Sequence, residues 1–444
     1  REHGMTHDSH RLKTPMKLVG GKWQKVSWDT ALNEVSQKLL AIKKESGPDA
    51  TFWIGSSKHN NEQSQLFRKF VSYFGTNNMD HQARICHSTT VVGIANTWGY
   101  GAMTNSYNDE QNSKCILFFG SNAAEAHPVS MLHTLHAKEN GAKVVVVDPR
   151  FTRTAARADK YYRIRSGTDV AFLWDMLYHV FKNGWEDKDY IKARVYGMDK
   201  IREEIARWTP DVTESVTGMK EAEVPDVAEM MAMNRPSTIV WAMGQTQHTN
   251  GNAIVRASAV FQLALGNVGV AGGGTNIYRG HDNVQGATDV GPNPHSLPGY
   301  YGIAEGSWKH WAAVWGVPYE WILKQFASKA MMEKPGITVS RWQDAVVEKN
   351  ENLDQDPNVR AVIFWGHAPN SQNRGKEMVE AMKKLDLLVV VDPYPSATAA
   401  MAAMVRQDGE YLLPAATQME CAGSVTASNR SIQWREKVID PMFE

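Results

Sequence analysis

The residues best suited to chemistry are a cysteine and a histidine side by side, Cys86 and His87, followed by the small polar run 88–90. The pattern predicts that the pair lies where a loop enters a helix. Unpaired amides at a helix N-terminus and a neighbouring imidazole both favour a charged sulfur, so Cys86 is predicted to be a thiolate. A thiolate can attack a substrate or bind a metal ion, and the pair alone leaves both open. The alternative is that His87 is a polar residue whose hydrogen bonds are satisfied at a helix start and that it has no chemical role.

A second candidate is Arg279, which lies in the glycine-rich segment 271–286 among polar, hydrogen-bonding neighbours. Glycine allows close backbone approach and positive φ, and the segment is too rich in it to form a helix. A planar guanidinium in such a segment could bind a carboxylate or an oxyanion through paired hydrogen bonds. The alternative is an ordinary salt bridge at an interface.

The composition limits the class of protein that could carry these residues. A chain of 444 residues is long enough for two or three domains, and its 48 basic residues balance 48 acidic ones, which gives no sign of a nucleic-acid or anionic-membrane surface. The three cysteines include no C-x-x-C pair, so the chain itself cannot bind an iron–sulfur cluster through four thiolates. Cys115, which opens an apolar run, is predicted to be buried and inert. No histidines show metal-ligand spacing, and no membrane span is predicted.

Strands and helices alternate along the chain, which predicts an α/β protein with parallel sheets covered on both faces. The first long helix is predicted over residues 28–46, and its apolar face consists of Leu32, Val35, Leu39 and Ile42. A strand is expected at 51–54 directly after it. Residues 1–28 are polar and rich in His and Lys, and they are predicted to form a stub.

One strand–loop–helix–strand unit is present twice. In the first copy, strand 116–119 ends at Gly120 and strand 143–147 ends at Asp148; in the second, strands 361–365 and 387–391 end at Gly366 and Asp392. Turn chemistry alone would explain one such unit. Two matched units favour a ligand with two nucleotide-like arms, either two nucleotides or one cofactor with two similar ends, bound beyond the carboxyl ends of the strands. Neither loop is a G-x-G-x-x-G or Walker sequence.

Two further loops fit a long phosphate-bearing ligand. The run R-S-G-T-D at 165–169 precedes a predicted helix at 170–181, so it offers amides and hydroxyls at a helix start. The predicted strand 237–242 ends in M-G-Q-T-Q-H, again at a carboxyl edge.

Six ordered motifs together carry a resemblance to a known family: R-I-C-H-S-T-T, G-S-N-A-A-E-A-H-P, V-V-D-P-R, R-S-G-T-D, Y-R-G-H-D-N-V-Q-G and V-V-V-D-P. The chain resembles, over essentially its whole length, the catalytic alpha subunit of molybdenum- or tungsten-dependent formate dehydrogenases. These are oxidoreductases of the dimethyl sulfoxide reductase family of molybdopterin enzymes. The resemblance implies two pseudo-repeated, doubly wound (Rossmann-like) α/β domains around a cofactor cleft. It also implies a bis(molybdopterin guanine dinucleotide) cofactor, bis-MGD, with Mo or W.

The resemblance also implies roles for individual residues. Cys86 matches the metal ligand, for which many members have selenocysteine; His87 would take or relay the proton, and Arg279 would hold formate. Residues for one cofactor arm would be Gly120, Asn122, Glu125, Asp148, Arg150, Gly167, Thr168 and Asp169. Residues for the other arm would be Gly366, Asn370, Gln372, Asp392 and Thr398. Residues along the cofactor would be Met243, Gly244 and Gln247.

The domain organisation follows from the same resemblance. Residues 1–30 would be a remnant after a missing domain that binds a [4Fe–4S] cluster. Residues 31–81 plus 282–444 would form one α/β cofactor-binding domain, and 82–281 the second. The chain is accordingly expected to be partial.

The implied reaction is the reversible oxidation of formate to CO2, with electrons passed to iron–sulfur centres. The implied partners are an iron–sulfur electron-transfer subunit and, in some relatives, a cytochrome b membrane subunit. A periplasmic location is expected, with the cytoplasm left open. Two alternatives remain: another molybdopterin oxidoreductase, such as a nitrate reductase, or a non-catalytic scaffold subunit of a respiratory complex. The Cys86–His87 pair and the Arg279 segment favour formate.

Overall fold

The computed structural model describes residues 6–348, 352–353, 355–368 and 374–442. Within these ranges the chain is mixed α/β with two mainly parallel sheets, which confirms the predicted fold class. The strands are β1 (Met16–Val19), β2 (Lys22–Lys25), β3 (Thr51–Ile54), β4 (Met79–Asp80), β5 (Cys115–Phe119), β6 (Lys143–Val147), β7 (Lys160–Tyr162), β8 (Ser237–Trp241), β9 (Thr275–Ile277), β10 (Ala361–Trp365), β11 (Leu387–Asp392), β12 (Glu410–Pro414), β13 (Gly423–Thr426) and β14 (Ile432–Arg435).

The α-helices of the described residues are α1 (Trp28–Ser46), α2 (Asn61–Phe74), α3 (Ala83–Trp98), α4 (Ala123–Ala126), α5 (Met131–Glu139), α6 (Asp169–Lys182), α7 (Lys188–Arg194), α8 (Met198–Ile205), α9 (Pro210–Thr217), α10 (Glu223–Met233), α11 (Met243–Thr246), α12 (Gly251–Ala264), α13 (Val284–Val290), α14 (Glu305–Val314), α15 (Tyr319–Leu323), α16 (Lys329–Met332), α17 (Trp342–Val347), α18 (Gly375–Lys384) and α19 (Ala397–Ala403). None of them is both long enough and apolar enough to cross a membrane.

The chain divides into two compact units. Unit 1 contains the described residues of Arg1–Ile85, His281–Ala427 and Ile432–Glu444, and unit 2 contains Cys86–Gly280 and Ser428–Ser431. Cys86, His87 and Arg279 therefore all belong to unit 2.

Unit 1 is built on a seven-stranded sheet with the order β2-β1-β12-β11-β10-β3-β4. The strands from β12 to β4 are parallel, and β1 runs antiparallel to both of its neighbours. Because β1 and β2 pair into this sheet, residues 16–25 are part of unit 1 and the prediction of a polar stub was wrong for them. The short antiparallel ribbon β13–β14 also belongs to unit 1.

Helix α1 covers one face of the unit 1 sheet and has the bounds predicted from the sequence. Ser27 caps it by accepting a hydrogen bond from the Thr30 amide, and it ends before Gly47. The residues it buries are Ala31, Val35, Leu39 and Ile42. Leu32 was wrongly placed on this face: it is 50% exposed, and the neighbouring Ala31 faces the sheet instead.

Unit 2 is built on a five-stranded sheet, β7-β6-β5-β8-β9, in which every pairing is parallel. Alternate residues of β5 enter opposite cores, since Leu117 packs in one cluster and Ile116 and Phe118 in the other. Cys115 is fully buried, as predicted, and burial raises the pKa of its thiol to about 12. The carboxyl ends of β5, β6 and β8 meet at one edge, where ligands bind in such sheets.

The duplicated unit is recognisable in the backbone of both sheets. Gly120 and Gly366 each follow a central strand and each has φ of +65°. The Gly120 amide donates to the Val147 carbonyl at 3.3 Å, and the Gly366 amide donates to the Val391 carbonyl at 2.8 Å. Positive φ is favourable for glycine, so the same turn leaves both strands.

The aspartates that end each copy also match. The Asp148 carboxylate accepts a hydrogen bond from the Arg150 amide at 2.9 Å. The Asp392 carboxylate accepts one from the Tyr394 amide at 3.0 Å. Each aspartate thus closes a local turn through one oxygen.

Candidate active site

Cys86 lies in the first turn of α3, which begins at Ala83 as a loop-to-helix junction requires. The helix is irregular at the next residue, where His87 has φ of −129° and ψ of 25°. The Cys86 sulfur lies 3.5 Å from the Met243 sulfur. The irregular turn therefore places a half-buried thiol against a second soft sulfur at the start of α11.

The charge environment of Cys86 differs from the prediction. Burial raises the pKa of the thiol, while the Arg279 guanidinium and the Gly280 amide act to lower it. The pKa of His87 lies well below its ordinary value because of burial, followed by the charges of Arg279 and His127. The imidazole is therefore neutral and does not stabilise the thiolate. The cation that acts on the sulfur is Arg279.

His87 is fully buried and its two ring nitrogens differ. Nδ1 lies 3.3 Å from the Thr90 hydroxyl oxygen. Nε2 is buried and has no hydrogen-bond partner among the described residues. A buried polar atom without a partner is costly and often marks a functional position.

Arg279 is buried, with 3% of its surface exposed, and forms no salt bridge within the described residues. Its Nη2 donates to the Gly101 carbonyl at 2.8 Å, whereas Nη1 is buried and without a partner there. The Arg279 carbonyl lies 2.7 Å from the His127 Nε2, and the Arg279 amide donates to the Ser428 hydroxyl at 3.2 Å. A positioned guanidinium with an unused nitrogen favours an anionic ligand over the salt-bridge alternative.

The sequence analysis missed a buried acid, Glu110, that contacts Tyr278, the residue before Arg279. The Tyr278 hydroxyl lies 2.6 and 2.7 Å from the two carboxyl oxygens of Glu110, 168 residues away along the chain. Burial raises the pKa of Glu110 to about 8, although the Tyr278 hydrogen bond acts to lower it. No sequence signal links the two residues, because only the fold brings them together.

A cavity of about 240 Å³ opens at the carboxyl ends of the unit 2 strands. Four of the predicted residues line it: Gly120, Asp148, Asp169 and Gly244. Arg165 and His248 also line it and were quoted in the loops without being assigned to the site. The wall of the cavity thus contains two carboxylates, two basic side chains and two glycines.

The two glycines of the cavity touch through their backbones. The Gly244 amide donates to the Gly120 carbonyl at 3.1 Å. A Cβ atom on Gly244 would lie 2.6 Å from that same oxygen, closer than such atoms approach. Glycine is therefore required where the loops after β5 and β8 meet.

Burial changes the pKa of both acids of the cavity in the same direction. Burial raises the pKa of Asp148, while the amide and the charge of Arg150 act to lower it. Burial also raises the pKa of Asp169, with the nearby Asp148 charge acting in the same direction. A ligand that donates several hydrogen bonds would satisfy both acids.

The remaining predicted residues of unit 2 lie outside the cavity wall. The Asn122 side chain donates to Glu125, and its oxygen accepts from the Thr154 hydroxyl at 3.0 Å. Arg150 lies 3.9 Å from the Glu125 carboxylate. These residues hold the loops after β5 and β6 to each other.

Three more predicted residues of unit 2 flank this region. Gly167 has φ of +84°, and the Thr168 hydroxyl donates to the Arg165 carbonyl at 2.7 Å, so both shape the turn before α6. Gln247 follows α11 and is exposed. Each therefore borders the cavity loops without lining the cavity.

In unit 1, three of the five predicted residues are described. Gly366 accepts a hydrogen bond from the Gln82 side chain at 3.1 Å, and burial raises the pKa of Asp392. Thr398 is buried in α19. Asn370 and Gln372 lie outside the described residues.

Comparison with known proteins decides the family. The model of the molybdopterin oxidoreductase family matches residues 11–444. The chain belongs to this family. Membership implies a molybdopterin cofactor with a Mo or W centre.

The molybdopterin oxidoreductases most similar to the chain include formate dehydrogenase H of Escherichia coli, 33% identical over 98% of this chain and 58% of the relative. Another is the F420-dependent formate dehydrogenase 1 subunit alpha of Methanococcus maripaludis, 32% identical over 99% of this chain and 60% of the relative. The chain thus spans about 60% of the length of these relatives. They confirm the resemblance drawn from the six motifs.

Among solved structures, the acetylene hydratase of Pelobacter acetylenicus matches with a TM-score of 0.76 and 22% identity, over 99% of this chain and 60% of that protein. At this identity the match supports the fold of a molybdopterin oxidoreductase and says nothing of the reaction.

The residues present fit a molybdopterin cofactor. Cys86 offers a soft sulfur ligand of the kind that Mo and W accept. The cavity beside Gly120 and Gly244 offers backbone close to a ligand and two buried acids. Nη1 of Arg279 and Nε2 of His87 are two of the buried polar atoms of this unit that have no hydrogen-bond partner among the described residues.

Proposed function

We propose that the chain is the catalytic part of a formate dehydrogenase that reversibly oxidises formate to CO2 at a Mo or W bis-MGD centre. The observation that carries the proposal is the buried, unpaired Nη1 of Arg279, whose charge acts on the Cys86 thiol. The names of the relatives agree with this choice of substrate.

The substrate is held by Arg279. A formate oxygen accepts a hydrogen bond from Nη1, while the bond from Nη2 to the Gly101 carbonyl keeps the guanidinium plane fixed. A positioned guanidinium orients the C–H bond of formate and lowers the entropic cost of reaction. Lys could supply the charge without the planar geometry.

The reaction converts HCOO⁻ into CO2, one proton and two electrons. The metal–pterin group, when bound, supplies the two-electron acceptor. Cys86 would hold the metal through its sulfur, and burial favours the neutral form of His87, in which the lone pair of a ring nitrogen can accept the proton. Exclusion of water strengthens the hydrogen bond from Arg279 to the substrate.

One guanine dinucleotide arm would bind in the cavity of unit 2. The buried carboxylates of Asp148 and Asp169 suit the donors of a guanine edge or of ribose hydroxyls. The matching turn of unit 1, at Gly366 and Asp392, would serve the other arm.

Electrons would leave through iron–sulfur centres outside this chain, to an iron–sulfur subunit and, in some assemblies, a cytochrome b subunit. The name of the M. maripaludis relative, an alpha subunit, agrees with assembly into a complex. A periplasmic location stays a prediction.

The test of the proposed function is Arg279→Lys in the loaded enzyme. We expect kcat/KM for formate to fall by about 100-fold or more, because the charge remains while the oriented hydrogen bond is lost. Mo or W content, measured by mass spectrometry, should not change. Arg256→Lys is the matched control, because Arg256 is an exposed residue of α12 in the same unit. Unchanged formate turnover in Arg279→Lys would refute the role.

Two outcomes separate the alternatives. Reduction of nitrate by the loaded enzyme with a reduced dye, without formate turnover, would favour a nitrate reductase. Absence of both Mo and W from the purified full-length protein would favour a scaffold subunit.

A further inference from the structure

His87 contacts, through Thr90, a network of hydroxyl groups that lies wholly within unit 2. Thr90, three residues further along α3, contacts the His87 Nδ1 at 3.3 Å. The Thr90 hydroxyl also lies 2.9 Å from the Thr246 hydroxyl and accepts from the Trp241 indole N–H at 3.2 Å. Thr89 contacts both the hydroxyl and the carbonyl of Thr246. Each threonine hydroxyl has one proton to donate. The direction of one hydrogen bond in the network therefore determines the direction of the next.

The direction of the first bond is fixed by the backbone. A carbonyl oxygen can only accept, so the Thr89 hydroxyl must donate to the Thr246 carbonyl, 2.5 Å away. The single proton of Thr89 is then used. Its contact with the Thr246 hydroxyl is therefore a bond in which Thr246 donates and Thr89 accepts.

The next bonds follow from this first one. With its proton committed to Thr89, the Thr246 hydroxyl can only accept from Thr90. It accepts from the Thr90 amide at 3.2 Å and from the Thr90 hydroxyl at 2.9 Å, which uses both lone pairs.

The last bond reaches His87. Thr90 has now donated its only proton to Thr246 and accepts from the Trp241 indole, which is always a donor. Its remaining lone pair faces the His87 Nδ1, and two lone pairs cannot form a hydrogen bond. The Nδ1 atom must therefore carry a proton, whether the ring is neutral or charged.

We propose that Thr90 and Thr246 are positioning residues that fix the tautomer of the His87 ring, with the proton on Nδ1 and the lone pair on Nε2. The inference rests on the proposed function, since it assigns Nε2 as the atom that accepts the proton from formate. It agrees with the position of Nε2, which is buried and without a partner among the described residues. Which ring nitrogen of a histidine is protonated is generally set by the hydrogen bond that the other nitrogen makes.

The tautomer is measured directly by long-range ¹H–¹⁵N NMR on the full chain, without cofactor, labelled with ¹⁵N-histidine. The signal of His87 is assigned by its absence in His87→Gln. We expect Nδ1 protonated and Nε2 unprotonated in the unsubstituted protein. A protonated Nε2 with an unprotonated Nδ1 would overturn the proposal. Because this spectrum is recorded on the unsubstituted protein, it tests the proposal even if a threonine variant fails to fold.

Thr246→Val tests whether the network sets the tautomer. The substitution removes the acceptor of the Thr90 proton, so the Thr90 hydroxyl becomes free to donate to Nδ1. We expect the His87 proton to move to Nε2 although Thr90 is unchanged. A folded Thr246→Val protein that keeps the proton on Nδ1 would overturn the proposal. Thr97→Val is the matched control and should leave the tautomer unchanged, since the Thr97 hydroxyl donates to the Gly93 carbonyl of the same helix at 2.8 Å.

Activity of the loaded enzyme gives a second readout. Thr90→Val should lower kcat for formate about 10- to 100-fold with little change in KM, and Thr90→Ser should restore it, because only the hydroxyl matters. Failure of Thr90→Ser to rescue would contradict the role of the hydroxyl. The tautomer is measured without formate, so a correct tautomer in a protein that does not oxidise formate would refute the proposed function alone.

Discussion

At the scale of single residues, the candidate site contains buried polar groups that have no hydrogen-bond partner in the described part of the chain. Arg279 and His87 each keep one buried nitrogen without a partner in the described part of the chain. Burying a polar group without a hydrogen bond costs about 1–3 kcal/mol, and a ligand that bonded to both nitrogens would remove this cost. A catalytic role for the Cys86–His87 pair stays a prediction, and the charge that acts on the thiol comes from Arg279.

Glu110 gives a prediction at the same scale. Burial raises its pKa to about 8 in the folded protein. Between the ordinary glutamate pKa and about 8 the folded state binds more protons than the unfolded state, so stability falls as pH rises through this window. Glu110→Gln removes the ionisable group and keeps the shape. Relative to the unsubstituted protein, the variant should gain up to a few kcal/mol between pH 5 and pH 8.

Urea unfolding at both pH values measures this difference. Glu139→Gln serves as the control, because Glu139 is exposed at the end of α5 and should show no such gain. A stability difference between Glu110→Gln and the unsubstituted protein that does not depend on pH would contradict the role of Glu110.

At the scale of elements, the strand–turn–helix unit occurs once in each sheet with the same turn. A glycine with φ of +65° follows an interior strand in both, and the aspartate after the next strand closes a turn with a backbone amide. The two copies differ in the atoms that a Cβ added to the glycine would contact. A Cβ on Gly120 would lie 2.8 Å from the Gly244 backbone, whereas one on Gly366 would meet the Ser56 side chain at 3.0 Å.

Gly120→Ala tests the need for this close approach. The substitution combines the cost of positive φ, about 1–2 kcal/mol, with a backbone clash of roughly 1–3 kcal/mol. Gly141→Ala is the matched control: Gly141 has φ of +92°, but a Cβ there meets nothing within 4 Å. Chemical denaturation should show Gly120→Ala to be the less stable variant, and equal losses would mean that the contact with Gly244 is unimportant.

At the scale of the whole molecule, each of the two units carries one copy of the proposed nucleotide-binding turn. The seven-stranded and five-stranded sheets differ in size and in strand order. The duplication is therefore local to the turns and the strands beside them. Two copies of one turn agree with the two nucleotide arms of the proposed cofactor.

This symmetry predicts the nucleotide content of the loaded protein. Acid hydrolysis of the purified holoenzyme should release two GMP molecules for each Mo or W atom, as a bis-MGD cofactor requires. Chromatography of the nucleotides and mass spectrometry of the metal give the ratio. A ratio of one would mean that only one copy of the turn holds a guanine nucleotide.

Much of the framework could be predicted from the sequence, because local chemistry specifies it. Alternating apolar strands and amphipathic helices predicted the α/β class, and the bounds of α1, β3, β6 and β10 agreed with the structure. The duplicated loops and the six motifs led to the family that the comparisons confirm. These signals lie within short stretches of chain, where spacing and residue type are sufficient.

The tertiary structure alone decided how the site residues interact. The exposed Leu32, the two strands within residues 16–25 and the neutral His87 all depended on which distant residues pack nearby. The Glu110–Tyr278 pair joins residues 168 positions apart, and no local pattern encodes such a contact. Burial and charge are properties of the assembled fold, so the sequence determined which groups are present, and packing determined their protonation and their free hydrogen-bonding atoms.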